Sequence, residues 1–195
     1  MARLCAINTT LILFSVLFPP ISMATAIKQS PKAVEDWFDN LKQSQPKVTK
    51  LHFYYHNSRN PEMNLSAVQV ASAPVFSDQP PYFGVLTITD DPLTVGPEIS
   101  SKRVGYAQGF YATSSLEEVS MLMGATFIFT DGEYKGSTLA ILGRNAIGDR
   151  YREMPIVGGT GLFRLARGIV TLQTYFFNFT MALAIVEMNV VALHY

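Results

Sequence analysis

The sequence predicts an all-β fold, an eight-stranded antiparallel β-barrel with a central pocket. Three observations carry that expectation. Beyond Pro46 apolar residues recur at every second position in short runs. Clusters of Gly, Pro and Asp punctuate those runs, and helical periodicity is almost confined to one stretch near the N-terminus. An antiparallel set of this size hides its edges most completely by closing on itself, and eight strands leave room inside for about one small ligand.

The elements follow in chain order. Arg3, the apolar run Leu11 to Phe18 and the small-residue site Ala24-Thr25-Ala26 read as a cleaved secretory signal over 1–26. The run is too short to span a bilayer, which takes about 20 residues. Residues 27–46 form an N-terminal arm. In it Val34, Trp37, Phe38 and Leu41 share one helical face, as a turn or two of amphipathic helix or as a mobile arm. The barrel domain occupies 47–195. Its first strand alternates Leu51, Phe53 and Tyr55 with Lys50, His52 and Tyr54. Further strands are expected near 65–73, 82–89, 104–113, 125–130, 134–142, 163–177 and 184–194. Turn signals separate them: Gln79-Pro80-Pro81, Asp90-Asp91-Pro92, Gly96-Pro97, Asp131-Gly132 and the run 157–161. Residues 115–123 could hold one more helical turn.

Composition narrows the function. With 15 basic and 15 acidic side chains the chain is neutral, and nothing points to nucleic acid. The only cysteine, Cys5, leaves with the signal, so the mature chain has no disulfide and no thiol nucleophile. His52, His56 and His194 are dispersed along the chain and give no zinc-binding pattern. A secreted chain would carry glycan acceptors at Asn64-Leu65-Ser66 and Asn178-Phe179-Thr180 on surface loops; Asn8-Thr9-Thr10 departs with the signal.

Few motifs carry chemistry unaided. Gly158-Gly159-Thr160-Gly161 lacks the Gly-Lys-Ser/Thr and the following helix of a phosphate loop, and reads as a tight turn. Asp90-Asp91 offers paired carboxylates for acid–base work, or a turn in which one Asp caps backbone amides; the Pro that follows favours the turn. In the strand 104–113 one face carries Gly105, Ala107, Gly109 and Tyr111. That face is either a cavity wall with Tyr111 pointing inward or a close backbone approach at the glycines. Arg144, Arg150, Arg152, Arg164 and Arg167 crowd the C-terminal half, and one of them reaching into an apolar barrel would stabilise a phenolate.

Several ordered stretches resemble the plant dirigent family: 50–56 (KLHFYYH), Phe83-Gly84 through 90–94 (DDPLT), 104–111 (VGYAQGFY), 127–130 (FIFT), 136–139 (GSTL) and 152–168 (REMPIVGGTGLFRLARG). The resemblance runs from about Lys47 to Tyr195. It implies a self-associating barrel, a dimer or trimer, that is secreted to the apoplast and has no cofactor or membrane partner. Its ligands would be phenolic. In one branch a separate laccase or peroxidase makes phenoxy radicals, and the dirigent protein imparts stereoselectivity on their coupling in lignan biosynthesis. In another, an isoflavonoid-type alcohol is dehydrated through a quinone methide to close a pterocarpan ring. By the resemblance, Arg152 and Tyr111 line the pocket and act in catalysis, with Asp90 the best remaining acid. Asn57 and Asn145 stand where lignan-forming members carry Asp, and with Arg144 they are expected to contact substrate. The cysteine pair of those members is also missing, so the chain resembles a different branch.

Overall fold

The structure is a computed structural model that describes residues 29–73 and 80–195. The segment read as a secretory signal, with Cys5 and the Asn8 acceptor, lies outside the described residues.

The arm forms one helix, α1 (Pro31–Asp39), and a 3-10 turn at Leu41–Gln43. The Ser30 hydroxyl accepts from Ala33 N and Pro31 opens the helix, two ordinary start signals. Val34, Trp37 and Leu41 are half-buried, and the Arg164 guanidinium lies 5.4 Å from the Trp37 ring centroid.

Among the described residues nine strands follow: β1 (Lys47–Ser58), β2 (Ala67–Ala71), β3 (Leu86–Thr94), β4 (Arg103–Thr113), β5 (Ser120–Phe129), β6 (Thr138–Ala146), β7 (Arg152–Thr160), β8 (Arg167–Asn178) and β9 (Leu183–His194). All pairings are antiparallel, in the order β1-β9-β8-β7-β6-β5-β4-β3-β2. β1 also pairs with β3, Tyr54 opposite Thr94 and Tyr55 opposite Leu93. That contact closes a ring of eight strands, β1 and β3 to β9. β2 shares the remaining edge of β3, with Ala67 opposite Thr89 and Ala71 opposite Leu86.

The eight-stranded barrel therefore stands, with one exchange in its membership. β2 lies outside the ring, and β7, where the sequence analysis placed only a glycine turn, lies within it. Arg152, Met154 and Ile156 alternate inward on β7, but an arginine, Pro155 and two glycines hide that period. Only Gly161, at φ +67, belongs to a turn. Asp90-Asp91-Pro92 is likewise strand rather than turn: Thr87, Thr89, Asp91 and Leu93 are its buried face, too polar to show an apolar period. Residues 115–119 form no helix, and β5 begins at Ser120.

One end of the barrel is filled. Phe53, Phe127, Phe129 and Phe163 are buried there, with ring centroids 5.2 Å apart for Phe53–Phe127 and 5.6 Å for Phe129–Phe163. Tyr134 stacks on Phe163 at 4.9 Å and completes the plug. The other end is open. Among the described residues no helix is long and apolar enough to cross a membrane.

Candidate functional site

The open half of the barrel encloses a cavity of about 890 Å³, within the range of small-molecule sites. Met123, Leu172 and Met188 form its apolar walls, and the β4–β5, β6–β7 and β8–β9 connections surround its mouth. Two clusters built on buried polar side chains interrupt that lining, besides charged residues such as Arg59, Glu118, Asp149 and Arg150.

The first joins β1, β3 and β4. Asp91 on β3 is 0% exposed, and its carboxylate accepts from Ser66 Oγ at 2.5 Å and from Asn57 Nδ2 at 3.1 and 3.2 Å. Tyr55 also hydrogen-bonds to it, and the Tyr111 hydroxyl donates to Asn57 Oδ1 at 3.4 Å. Burial pushes the Asp91 carboxyl up to about 6, while the bonds from Ser66, Tyr55 and Asn57 hold it from rising further. Burial raises the Tyr111 hydroxyl, and raises that of Tyr55 well above the ordinary tyrosine value with the Asp91 charge adding to it. Tyr55, Asn57 and Tyr111 line the cavity, with Asp91 behind them.

The second group joins β6, β7 and β8. Arg152 is 5% exposed; its Nη1 donates to Thr174 Oγ1 at 2.8 Å and to Ile147 O at 3.3 Å, and burial lowers its pKa. Asn145 is 7% exposed, and its Nδ2 donates to Met123 Sδ at 3.5 Å. Arg152 Nε and Asn145 Oδ1 are buried with no partner among the described residues. Both residues line the cavity, so a ligand hydroxyl that accepts from the guanidinium and donates to the amide would satisfy them.

Strand order sets the two groups face to face. In a ring of eight, β3 stands opposite β7, β1 opposite β6 and β4 opposite β8. Asp91 is thus across the barrel from Arg152, Asn57 from Asn145 and Tyr111 from Thr174. The arrangement can protonate or deprotonate one end of a ligand while a cation holds the other.

Of the residues expected from sequence, Arg152, Tyr111, Asn57 and Asn145 meet at this cavity. Asp90 does not: it faces outward and accepts from Gln108 Nε2 at 3.1 Å. Neighbours on a strand point to opposite faces, so the carboxylate of the pair that serves the cavity is Asp91. For the same reason Arg144, next to Asn145, lies on the outer face, where it pairs with Glu118. Of β4 only Tyr111 and Thr113 line the cavity; Gly105 and Gly109 serve close backbone approach. The acceptor Asn64 is exposed in the β1–β2 connection, and Asn178 ends β8. Among the described residues no three His, Cys, Asp or Glu gather as a metal site. Tyr55 joins Arg152, Tyr111, Asn57 and Asn145 at the cavity although no motif singles it out; its alternation with Tyr54 sets the two on opposite faces.

The family model of the dirigent-like proteins matches residues 48–193. Dirigent protein 21 of Arabidopsis thaliana is 40% identical over 187 residues, covering 93% of this chain and 98% of that protein. Pterocarpan synthase 1 of Glycyrrhiza echinata is 46% identical over 153 residues, covering 77% and 80%. Among solved structures, the pterocarpan synthase dirigent protein GePTS1 superimposes with a TM-score of 0.70 at 48% identity, covering 77% of this chain and 89% of that one.

Proposed function

Because the chain belongs to the dirigent family, we propose that it binds a phenolic alcohol in the barrel cavity and closes a ring on it stereoselectively, by loss of water through a quinone methide and with no oxidant. The observation that carries this reading is the buried acid opposite a buried cation: Asp91 with its hydroxyl partner Tyr55 on one wall, Arg152 on the other. A relative and a solved structure named as pterocarpan synthases support it.

The chemistry divides between the two walls. The guanidinium of Arg152 stabilises the phenolate that forms when the substrate phenol gives its proton to solvent at the cavity mouth, from which it is taken back at the end. Electrons from that phenolate expel a hydroxyl group at the far end of the conjugated system. The hydroxyl takes a proton from the Tyr55–Asp91 pair and leaves as water, giving the quinone methide. A second substrate hydroxyl then adds to the electrophilic carbon, gives its proton back to the pair, and the phenolate is restored and reprotonated. The walls fix which face is attacked.

A second reading has the size of the cavity in its favour. About 890 Å³ can admit two monolignol-sized rings, so the same walls could orient phenoxy radicals supplied by a laccase or peroxidase. One experiment separates the two readings. The purified chain is given an isoflavonoid-type alcohol without oxidant and, separately, coniferyl alcohol with a trace one-electron oxidase, each followed by chiral chromatography. Oxidant-free turnover that Arg152→Ala reduces at least about 100-fold supports ring closure, this being the usual worth of one charge-stabilising donor. Enantiomeric excess only in the oxidase arm transfers the assignment to radical coupling, and activity in neither arm rejects both readings.

A further inference from the structure

A second concavity lies on the outside of the barrel, beside the place where β1 meets β3. It measures about 330 Å³, and Met63, Pro97, Ile99, Tyr175, Phe176 and Ile185 give it an almost wholly apolar wall. A bulge in β8 builds its aromatic side. Thr174 pairs with Val186 and Phe176 with Ile185, so Tyr175 has no partner in the ladder. The extra residue leaves two consecutive aromatic side chains on the outer surface, 56% and 40% exposed. Tyr175 is held in place edge-on to Tyr54, with centroids 5.5 Å apart.

Asn64 lines the same groove. Asn64 opens the acceptor sequence Asn64-Leu65-Ser66 and is itself exposed, at φ +49. We propose that this groove seats the first sugar of an N-linked glycan on Asn64, an N-acetylglucosamine whose apolar C–H face packs on Tyr175 and Phe176. The sugar covers aromatic surface that would otherwise face water beside the barrel seam. Its polar edge meets solvent and Glu98 at the groove margin.

The state of Ser66 fixes the order of events. Its hydroxyl, which the acceptor sequence requires, donates to Asp91 Oδ1 at 2.5 Å and accepts from Ser58 N at 3.0 Å. Once β1 and β3 have met, that hydroxyl is engaged. The sugar is therefore attached before the barrel closes, and the groove forms against it.

The full chain, secreted from eukaryotic cells restricted to high-mannose glycans, provides the test. Glycopeptide mass spectrometry reads occupancy at Asn64. Melting temperatures are then compared for the intact protein, the protein trimmed by endoglycosidase to single sugars, and Asn64→Gln, each also in a Tyr175→Ser, Phe176→Ser background. The single-sugar form should melt with the intact one, and Asn64→Gln should melt lower by about 2–4 °C. In the Ser background that difference should vanish. Any backbone cost of Gln at this left-handed position appears in both backgrounds and cancels. An unoccupied Asn64, an equal loss in both backgrounds, or a single-sugar form as labile as Asn64→Gln would each overturn the proposal.

Discussion

Asp91 receives Ser66 on one oxygen and Asn57 on both, but its burial outweighs these bonds and decides what its titration does to the fold. Its carboxyl sits at about 6 in the folded chain against an ordinary 3.8. The folded state therefore holds a proton that the unfolded state has released, and stability falls as pH rises through the window from 3.8 to about 6. A shift of that size corresponds to about 3 kcal/mol. Asp91→Asn removes the slope. It also leaves one acceptor oxygen for the donors Ser66, Asn57 and Tyr55, a constant loss of about 1–2 kcal/mol. Urea unfolding at pH 4.5 and pH 7 should thus show wild type losing stability relative to Asp91→Asn at the higher pH, and parallel profiles would refute the assignment. Sequence singles out the Asp90-Asp91 pair and favours Asp90, whereas the structure turns Asp91 inward and Asp90 outward. The clue was present, since a strand running through Thr87 and Thr89 turns Asp91 inward. It was concealed because the inward face of β3 is polar where it borders the cavity, so hydrophobic alternation fades where chemistry begins.

The strands show the same trade between legibility and use. β1, β4 and β9 were readable because their inward faces are apolar, whereas β7 was not, because it turns Arg152 to the cavity and carries Pro155 outward. In β4 the sequence left open whether its glycines made a cavity wall or a close approach, and the geometry decides for the approach. A Cβ on Gly109 would lie 2.1 Å from Gly124 O and 2.7 Å from Ala125 Cα, both backbone atoms of the paired strand. Gly109→Ala can be accommodated only by prising β4 from β5, at an expected cost of about 3 kcal/mol or more. Gly158 is a control within the same sheet: nothing lies within 4 Å of its would-be Cβ, so Gly158→Ala should change stability by less than about 1 kcal/mol. Denaturant midpoints with unchanged slopes would measure both. A Gly109→Ala variant as stable as wild type would mean that the two strands do not pack this closely.

At the scale of the molecule, eight strands were legible by number although one was misidentified, because closure constrains the count more strongly than any single run does. The outer surface was less legible, since an exposed apolar residue on a strand looks like a core residue until its face is known. Register now places four such residues in one row: Val68 opposite Ile88, Ile88 opposite Phe110, and Phe110 and Leu142 both opposite Gly124. All four apolar side chains are exposed. Phe110 and Leu142 close over Gly124, where a Cβ would meet them at 3.0 and 3.2 Å, so the row is continuous across β2 to β6. A continuous exposed apolar strip is a surface that a second copy of the chain can cover, and the self-association expected from the family resemblance would use it. Phe110→Glu sets a charge at its centre without touching the core or the cavity. Sedimentation at micromolar concentration should show a dimer or trimer for wild type and a folded monomer for Phe110→Glu. A wild-type monomer would remove the need for the strip, and an oligomer that survives Phe110→Glu would move the interface to another face of the barrel.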